Sequence, residues 1–151
     1  MEKIIRMPAH QLVRWNRFDL PFKYLYAMSR VKGLQTSFYE SMYKHHLQIW
    51  NDFSEYNNPS KKGYESFKLV FDNLIDEIGA NGFNQSKGLV PIDQSSSLLN
   101  GAHRVAACYA TSSDVYCRVG KDVEDGQMNC SWSFFKQHNR FGTLELSLIH
   151  I

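Results

Sequence analysis

The sequence of 151 residues has few cysteines, no long apolar run and little net charge, and each shortage argues against a class of protein. Its three cysteines are Cys108, Cys117 and Cys130, an odd number with no Cys-x-x-Cys pair. This pattern favours reduced cytoplasmic thiols over a disulfide framework. No Cys/His cluster has the spacing of zinc ligands, so we do not expect a metal site of that kind.

Long apolar runs are also missing. None approaches the roughly 20 residues that a membrane-spanning helix needs, and segment 1–14 lacks the apolar core of a secretory signal. We therefore expect a cytoplasmic location and no membrane partner. The formal net charge is +2, which provides no concentrated basic face, so we do not expect a nucleic-acid partner.

Apolar residues, in contrast, are plentiful. The chain is 43% hydrophobic and 14% aromatic, enough for one packed domain of this length. We predict a single α+β domain over 1–145, helical in its first half. Residues 146–151 match the translation of a transposon-end sequencing adaptor. We expect them to be foreign and the native chain to continue differently past Glu145; the alternative is a genuine terminal strand.

The first half of the chain has the apolar spacing of three helices. The first follows Asp19 and ends near Gly33, the second runs from about 36 to 53, and the third from about 64 to 78. The third carries an apolar stripe at i, i+3, i+4 spacing. Its members are Phe67, Val70, Phe71, Leu74, Ile75 and Ile78. Segment 3–13 is predicted to be a weak strand or an extended entry segment.

From Gly88 onward the period changes to that of short strands. Segments 89–92 and 97–99 are predicted strands joined by a polar turn. A helix over 102–110 and a strand over 115–119 follow. This order predicts a compact unit in which the helix packs on a small sheet. A polar loop over 121–130 and a short helix over 132–138 are predicted to follow it.

The most informative stretch is 98–106, with the sequence Leu-Leu-Asn-Gly-Ala-His-Arg-Val-Ala. A strand ends at Asn100-Gly101 and a helix starts at Ala102, so free backbone N–H groups and a positive dipole end form an anion site. Gly101 lets a phosphate approach the backbone, and Arg104 can grip two phosphate oxygens. We predict that Asn100, Gly101, Ala102, His103 and Arg104 bind a nucleotide.

The alternative interpretation of the same stretch is purely structural. It is an ordinary helix start, with His103 as a cap and Arg104 in solvent, and Asn-Gly is a common turn pair.

On these residues, segment 88–119 resembles the ParB/sulfiredoxin-like nucleotide-binding superfamily, which includes chromosome-partition CTPases, sulfiredoxin and free-serine kinases. The motif that carries the resemblance is Asn100-Gly101-Ala102-His103-Arg104-Val105-Ala106-Ala107 after a strand. The resemblance implies a sulfiredoxin-like unit that binds ATP or CTP, with Mg²⁺ between the phosphates.

The chain also departs from that family. Ala102 stands where sulfiredoxin carries its nucleophilic Cys, so sulfinic-acid repair is not supported, and Cys108 fits core packing better. Neutral Asn100 stands where ParB-like kinases often have an acidic residue, so a catalytic carboxylate must come from elsewhere. We find no helix-turn-helix module of the partition type.

A second resemblance covers the first half. Segments 16–20 and 23–27, His46-Leu47 and Trp50-Asn51 are similar to uncharacterised ParB-like proteins found near surface-polysaccharide genes. It implies a sugar intermediate of polysaccharide biosynthesis as the phosphate acceptor.

Three further residues are candidates for the site. Asp19 is predicted as the catalytic general base or a Mg²⁺ ligand, with helix capping as the alternative. Arg17 is predicted as a second phosphate clamp, with a surface ion pair as the alternative. His46 lies on the apolar stripe of the second helix, so it is either a buried hydrogen-bonded histidine or a pocket residue.

Together these residues predict a magnesium- and nucleotide-dependent phosphotransferase, a kinase that moves the γ-phosphate of ATP or CTP to a small hydroxylated acceptor. Asp19 and His103 are its predicted catalytic residues. The alternative is a non-catalytic nucleotide-sensing or DNA-associated regulatory module. The sequence does not indicate an oligomeric state.

Overall fold

The computed structural model describes residues 2–14, 17–55, 58–120 and 133. Within them the chain is α+β, as predicted, with four α-helices and a three-stranded mixed sheet. The elements in chain order are β1 (Ile4–Pro8), α1 (Asp19–Val31), α2 (Ser37–Asn51), α3 (Tyr64–Asn81), β2 (Val90–Ile92), α4 (Ala102–Ala110) and β3 (Asp114–Val119). Short 3₁₀ turns occupy Ala9–Leu12 and Gln85–Lys87.

The sheet has the order β1-β3-β2, so the last strand in the chain lies in the middle. β1 pairs antiparallel with β3, and β2 pairs parallel with it. Parallel neighbours need a crossover connection, and α4 supplies it between β2 and β3. Val115 and Cys117 of the central strand have no exposed surface. After β2 the chain turns back along that strand, so the start of α4 lies beside the start of β2: a Cβ on Gly101 would lie 3.4 Å from the Val90 side chain.

The predicted second strand at 97–99 is reduced to a single antiparallel bridge between Leu98 and Ile92. The reason lies in the preceding turn, where the Asp93 carboxylate accepts hydrogen bonds from the amides of Ser95 and Ser97. That tight turn folds the chain back onto β2 for one bridge before it departs into α4. The prediction of a full strand at this position is wrong.

Helices α1 and α4 pack against each other, and α2 and α3 pack on this pair. α4 contacts both α1 and α3, and α1 also contacts α2. The small residues Ala102, Ala106 and Ala107 of α4 are buried, which lets neighbouring helices approach closely. On α3, Phe67 and Phe71 are buried as the stripe predicts, but Val70 is 47% exposed because it lies at the margin of the stripe.

Within the described part of the chain, no helix combines the length and the apolar character that crossing a membrane requires. The predicted loop at 121–130, the helix at 132–138 and the tail at 146–151 lie outside the described residues, apart from Ser133, which is helical.

Candidate functional site

Helix α4 begins at Ala102, as the sequence predicts, but the segment before it forms a single bridge through Leu98 rather than the predicted strand. Gly101 precedes the helix in the left-handed region at φ 89°, and no side chain caps the helix. The Asn100 side chain accepts a hydrogen bond from the Gly101 amide at 2.7 Å. None of the described residues accepts a hydrogen bond from the amides of Ala102, His103 or Arg104. These three donors remain available to an anion.

Arg104 folds back over this turn. Its guanidinium donates to the Gly88 carbonyl at 2.8 Å and to the Leu89 carbonyl at 3.5 Å, and it lies 5.9 Å from the centre of the Phe83 ring. A Cβ on Gly101 would lie 3.2 Å from the Arg104 Nη2 atom. Arg104 is therefore beside the free amides, where its two bonds to carbonyls leave further N–H groups to donate.

His103 faces the opposite way, into the protein. Its Nε2 lies 2.9 Å from the Tyr43 hydroxyl on α2, and its ring packs edge-on against Phe71 at 4.7 Å. Burial and the nearby Lys23 and Lys61 lower its pKa well below the usual range. His103 therefore neither caps α4 through its side chain nor shares a surface with Arg104. The sequence predicted that the two side chains bind the phosphates together, but in the structure they lie in two separate places.

Arg17, Asp19 and Lys23 form a buried ion cluster at the start of α1. The Asp19 carboxylate accepts two hydrogen bonds from the Arg17 guanidinium, each 2.9 Å, and one from the Lys23 ammonium at 2.8 Å. Asp19 and Lys23 have no exposed surface. Arg17 also donates to the Leu98 carbonyl at 3.3 Å, so the cluster lies close to the α4 start.

This cluster changes the interpretation of Asp19 and Arg17. The helix cap is Phe18, and Asp19 is the first helical residue without a capping bond. Burial raises the pKa of Asp19, but Lys23 and Arg17 outweigh it and hold that pKa well below its usual range. A carboxylate so neutralised is a poor proton acceptor. Arg17 forms an ion pair, but a buried bidentate one rather than a surface pair.

Asp19 also fits poorly as a magnesium ligand. Both its oxygens already accept N–H donors from two cations, and a metal ion would have to displace one of them. Among the described residues, no group of three or more His, Cys, Asp or Glu side chains has the arrangement of a metal site. The described residues around Asp19 therefore do not fit a magnesium ion.

His46 completes the buried polar group. Its Nδ1 donates to the Tyr43 carbonyl, and its ring stacks on Phe22 at 5.2 Å with an interplanar angle of 6°. Its Nε2 is buried, and no described residue forms a hydrogen bond with it. Burial and the nearby Lys23 lower its pKa well below the usual range. Both of the alternatives for His46 therefore still apply, because it is buried and bonded on one side only.

Two residues of this site escaped the sequence analysis. Lys23 lies one helical turn after Asp19, and that i, i+4 spacing was a signal for their ion pair. Tyr43 binds both histidines, through its hydroxyl and its carbonyl. No local pattern marks it, because aromatic residues at helical spacing usually belong to the core.

The site thus has two adjoining parts. We call Arg17, Asp19, Lys23, Tyr43, His46 and His103 the inner cluster, and Asn100, Gly101, Ala102 and Arg104 the α4 junction. His103 joins them, because its amide belongs to the junction and its ring to the inner cluster. A shallow depression of about 420 Å³ lies elsewhere, lined by Arg30, Val31, Ile75, Asp76, Gly79 and Thr111 at the other end of α4.

The two described cysteines belong to the core. Cys108 and Cys117 are free and fully buried. Burial raises the pKa of Cys108 to about 12 and that of Cys117 to about 11. Thiols in this state are unreactive, which agrees with the predicted packing role of Cys108.

Comparisons with protein-family models, with curated proteins and with solved structures find no match to this chain. The architecture and the residues at the site therefore carry the functional argument.

Proposed function

We propose that this protein binds a nucleotide through its phosphates at the α4 junction. In this proposal it is a ParB/sulfiredoxin-like phosphotransferase that moves the γ-phosphate of ATP or CTP to a small hydroxylated acceptor. The observation that carries the proposal is the junction itself: three backbone amides for which no described residue supplies an acceptor, a left-handed glycine before them and an arginine folded alongside. Helix starts of this form bind phosphate through their N–H groups and dipole.

The charges around the junction favour an anion. Arg104 lies on one side of it, and Arg17 reaches the Leu98 carbonyl on the chain that leads into it. Lys23 is the second cation of the inner cluster and the third in this region, against the single carboxylate of Asp19. The first turn of α4 contains no acidic residue. A phosphate group entering here meets a net positive potential in a partly desolvated place, where electrostatic attraction is strong.

The residues have separate roles in the proposed reaction. The junction amides and Arg104 hold the phosphates. Arg17 and Lys23, fixed by Asp19, supply positive charge that stabilises the transferring group, as cationic clamps do in phosphoryl transfer. The aromatic rings around Tyr43 and His103 exclude water from the inner cluster.

Isothermal titration calorimetry of the full chain with ATP and with CTP tests the binding step. Replacing Arg104 by Gln removes charge-assisted bonds worth about 1.5–3 kcal/mol, so we expect roughly 10- to 100-fold weaker binding. The matched control is Arg118→Gln, which removes an exposed guanidinium on β3 that pairs with Glu2. Absence of binding by the unmodified chain, or equal effects of the two variants, contradicts the proposal.

A second candidate function is a nucleotide-sensing or DNA-associated regulatory module without turnover. One observation favours it: the Asp19 carboxylate is already neutralised by Arg17 and Lys23. Incubation with γ-³²P-labelled ATP, then CTP, and small polyols separates the two candidates. Binding without hydrolysis or transfer supports the sensor, and a salt-sensitive gel shift with duplex DNA supports the DNA-associated form.

A further inference from the structure

An unpartnered hydrogen-bond acceptor lies inside the inner cluster. The His46 ring has no exposed surface, and its Nδ1 faces the Tyr43 carbonyl. Because a carbonyl only accepts, Nδ1 must carry the proton, and the neutral ring then presents a bare lone pair at Nε2. No hydrogen-bond donor meets that lone pair among the described residues.

Such an atom is costly to keep. A buried polar group without a partner destabilises the folded state by about 1–3 kcal/mol, and most buried polar atoms in proteins are paired. The rest of the inner cluster is well bonded, which makes the bare Nε2 stand out. It indicates a place where a donor that is not among the described residues binds.

The surroundings restrict the chemistry of that donor. A phosphate oxygen would face a lone pair and be repelled, and an ammonium group would lie close to Lys23, whose charge already lowers the pKa of His46. The stacked Phe22 ring and Tyr43 leave an apolar, confined environment. A neutral donor of small size, a hydroxyl group, fits these conditions.

We propose that Nε2 of His46 receives the hydroxyl group of the phosphate acceptor, the role that the sequence assigned to Asp19. This inference rests on the proposed phosphotransferase function. His103 connects the two sites, since its backbone amide belongs to the α4 junction and its ring lies in the inner cluster with Tyr43 and His46. An acceptor hydroxyl at His46 therefore lies on the inner side of the phosphate site.

The transfer step balances in the usual way. The acceptor oxygen forms a bond to the γ-phosphorus while the bond from that phosphorus to the β–γ bridging oxygen breaks. The nucleoside diphosphate leaves with the bonding electrons, and the hydroxyl proton passes to His46 Nε2. Burial and Lys23 lower the pKa of the His46 ring well below its usual range, and the Asp19 carboxylate opposes them only in part. Nε2 differs from the Asp19 oxygens, however, in having a lone pair that no described residue occupies.

Nitrogen-15 NMR of the histidine side chains tests the site directly. We expect His46 to be the Nδ1–H tautomer and its Nε2 resonance to move when glycerol, glucose or N-acetylglucosamine is added. Inorganic phosphate, the control ligand, should leave Nε2 unmoved. A protonated Nε2, or a resonance that none of these polyols shifts because only a bound water sits there, overturns the inference.

A pair of variants tests the catalytic role in the full chain. His46→Gln keeps an acceptor near the Nε2 position and His46→Asn keeps a donor near Nδ1, and neither side chain accepts a proton at neutral pH. We expect both to transfer labelled phosphate to the polyols at least about 100-fold more slowly, with nucleotide affinity within twofold of the unmodified chain. The matched control is His45→Gln, at the exposed neighbouring position.

The outcomes separate the two proposals. If the unmodified chain does not bind a nucleotide, the proposed function is contradicted. Normal nucleotide binding with transfer that His46→Gln leaves unchanged contradicts only the inference about His46. Thermal melting of each variant shows whether it is folded, and the NMR result decides the matter if neither variant folds.

Discussion

The Tyr43 hydroxyl lies 2.9 Å from Nε2 of His103 and joins α2 to the first turn of α4. The same tyrosine holds His46 through its backbone carbonyl. One residue of α2 thus sets the orientation of both histidines, and the ring of Tyr43 stacks on Tyr26 at 4.9 Å to fix its own position. Tyr43 is fully buried, so its hydroxyl has no alternative partner in bulk water.

Removal of that hydroxyl should destabilise the fold. Tyr43→Phe leaves Nε2 of His103 without its partner, and we expect a loss of about 1–3 kcal/mol in the free energy of unfolding. Urea denaturation measures it. Tyr24→Phe is the control, because Tyr24 is half-buried against Tyr109 and has no hydroxyl bond among the described residues, so its loss should stay within about 0.5 kcal/mol. Equal losses would contradict the prediction.

Gly101 and Gly33 offer a matched pair for the α4 junction. Both have positive φ, 89° and 64°, but an added Cβ meets Arg104 at 3.2 Å and Val90 at 3.4 Å at Gly101, and nothing within 4 Å at Gly33. Gly33→Ala should cost about 1–2 kcal/mol from backbone strain alone. Gly101→Ala should cost more and also weaken ATP binding, since the guanidinium must move. Calorimetry and urea denaturation of both variants check this, and an unchanged affinity in Gly101→Ala would argue against phosphate binding at the junction.

The Asp19 ion cluster should be highly sensitive to loss of its carboxylate. Asp19→Asn leaves the buried Lys23 ammonium and the Arg17 guanidinium without a counter-charge, and we expect a destabilisation of about 3–5 kcal/mol. Thermal and urea unfolding measure it. The double variant Asp19→Asn/Lys23→Met removes one stranded cation and should recover part of the loss. If the double variant is as unstable as the sum of the two single variants, the three residues do not act as a cluster.

The stability of the fold should fall in two stages as the pH is lowered. His46 and His103 have pKa values well below the ordinary range in the folded state, because of burial and then of Lys23. The unfolded chain binds protons at these histidines from about pH 6.5 downward and the folded chain does not, so stability is retained above that pH and decreases below it. The slope is up to about 1.4 kcal/mol per pH unit for each histidine.

The second stage belongs to Asp19. Its folded pKa lies below that of the unfolded chain, so its contribution is complete above about pH 4 and is lost as the pH falls further. Urea denaturation at intervals from pH 7.5 to 3.5 measures both stages. The double variant His46→Gln/His103→Gln should remove the first stage and keep the second. An unchanged profile in that variant would assign the first stage to other groups.

The sequence predicted where the helices and strands lie along the chain better than it predicted which of them pair or pack together. The α3 stripe and the start of α4 after Gly101 are local patterns, and both occur where the sequence places them. The strand at 97–99 was predicted too long, because the Asp93 turn restricts pairing to Leu98. The sequence also did not indicate that β1 would pair with β3, since no local signal marks a partner so far along the chain.

The same difference between local patterns and tertiary packing applies to the candidate site. Gly101 and Arg104 were identifiable because backbone and charge requirements are local. The directions of His103 and Arg104 were not, because residues adjacent on a helix diverge by about 100° and only tertiary packing decides what each one meets. Asp19 was identifiable as a candidate general base, but its neutralisation by Arg17 and Lys23 depends on burial that composition does not reveal.

The position of β3 in the middle of the sheet has a consequence for synthesis of the chain. Arg6 on β1 bonds to Asp114 on β3, 108 positions later. The first strand therefore leaves the ribosome long before the strand that covers its edge. During translation the backbone of β1 stays unpaired, exposed to other chains or covered by a chaperone. It pairs only when β3, the last strand among the described residues, has been synthesised.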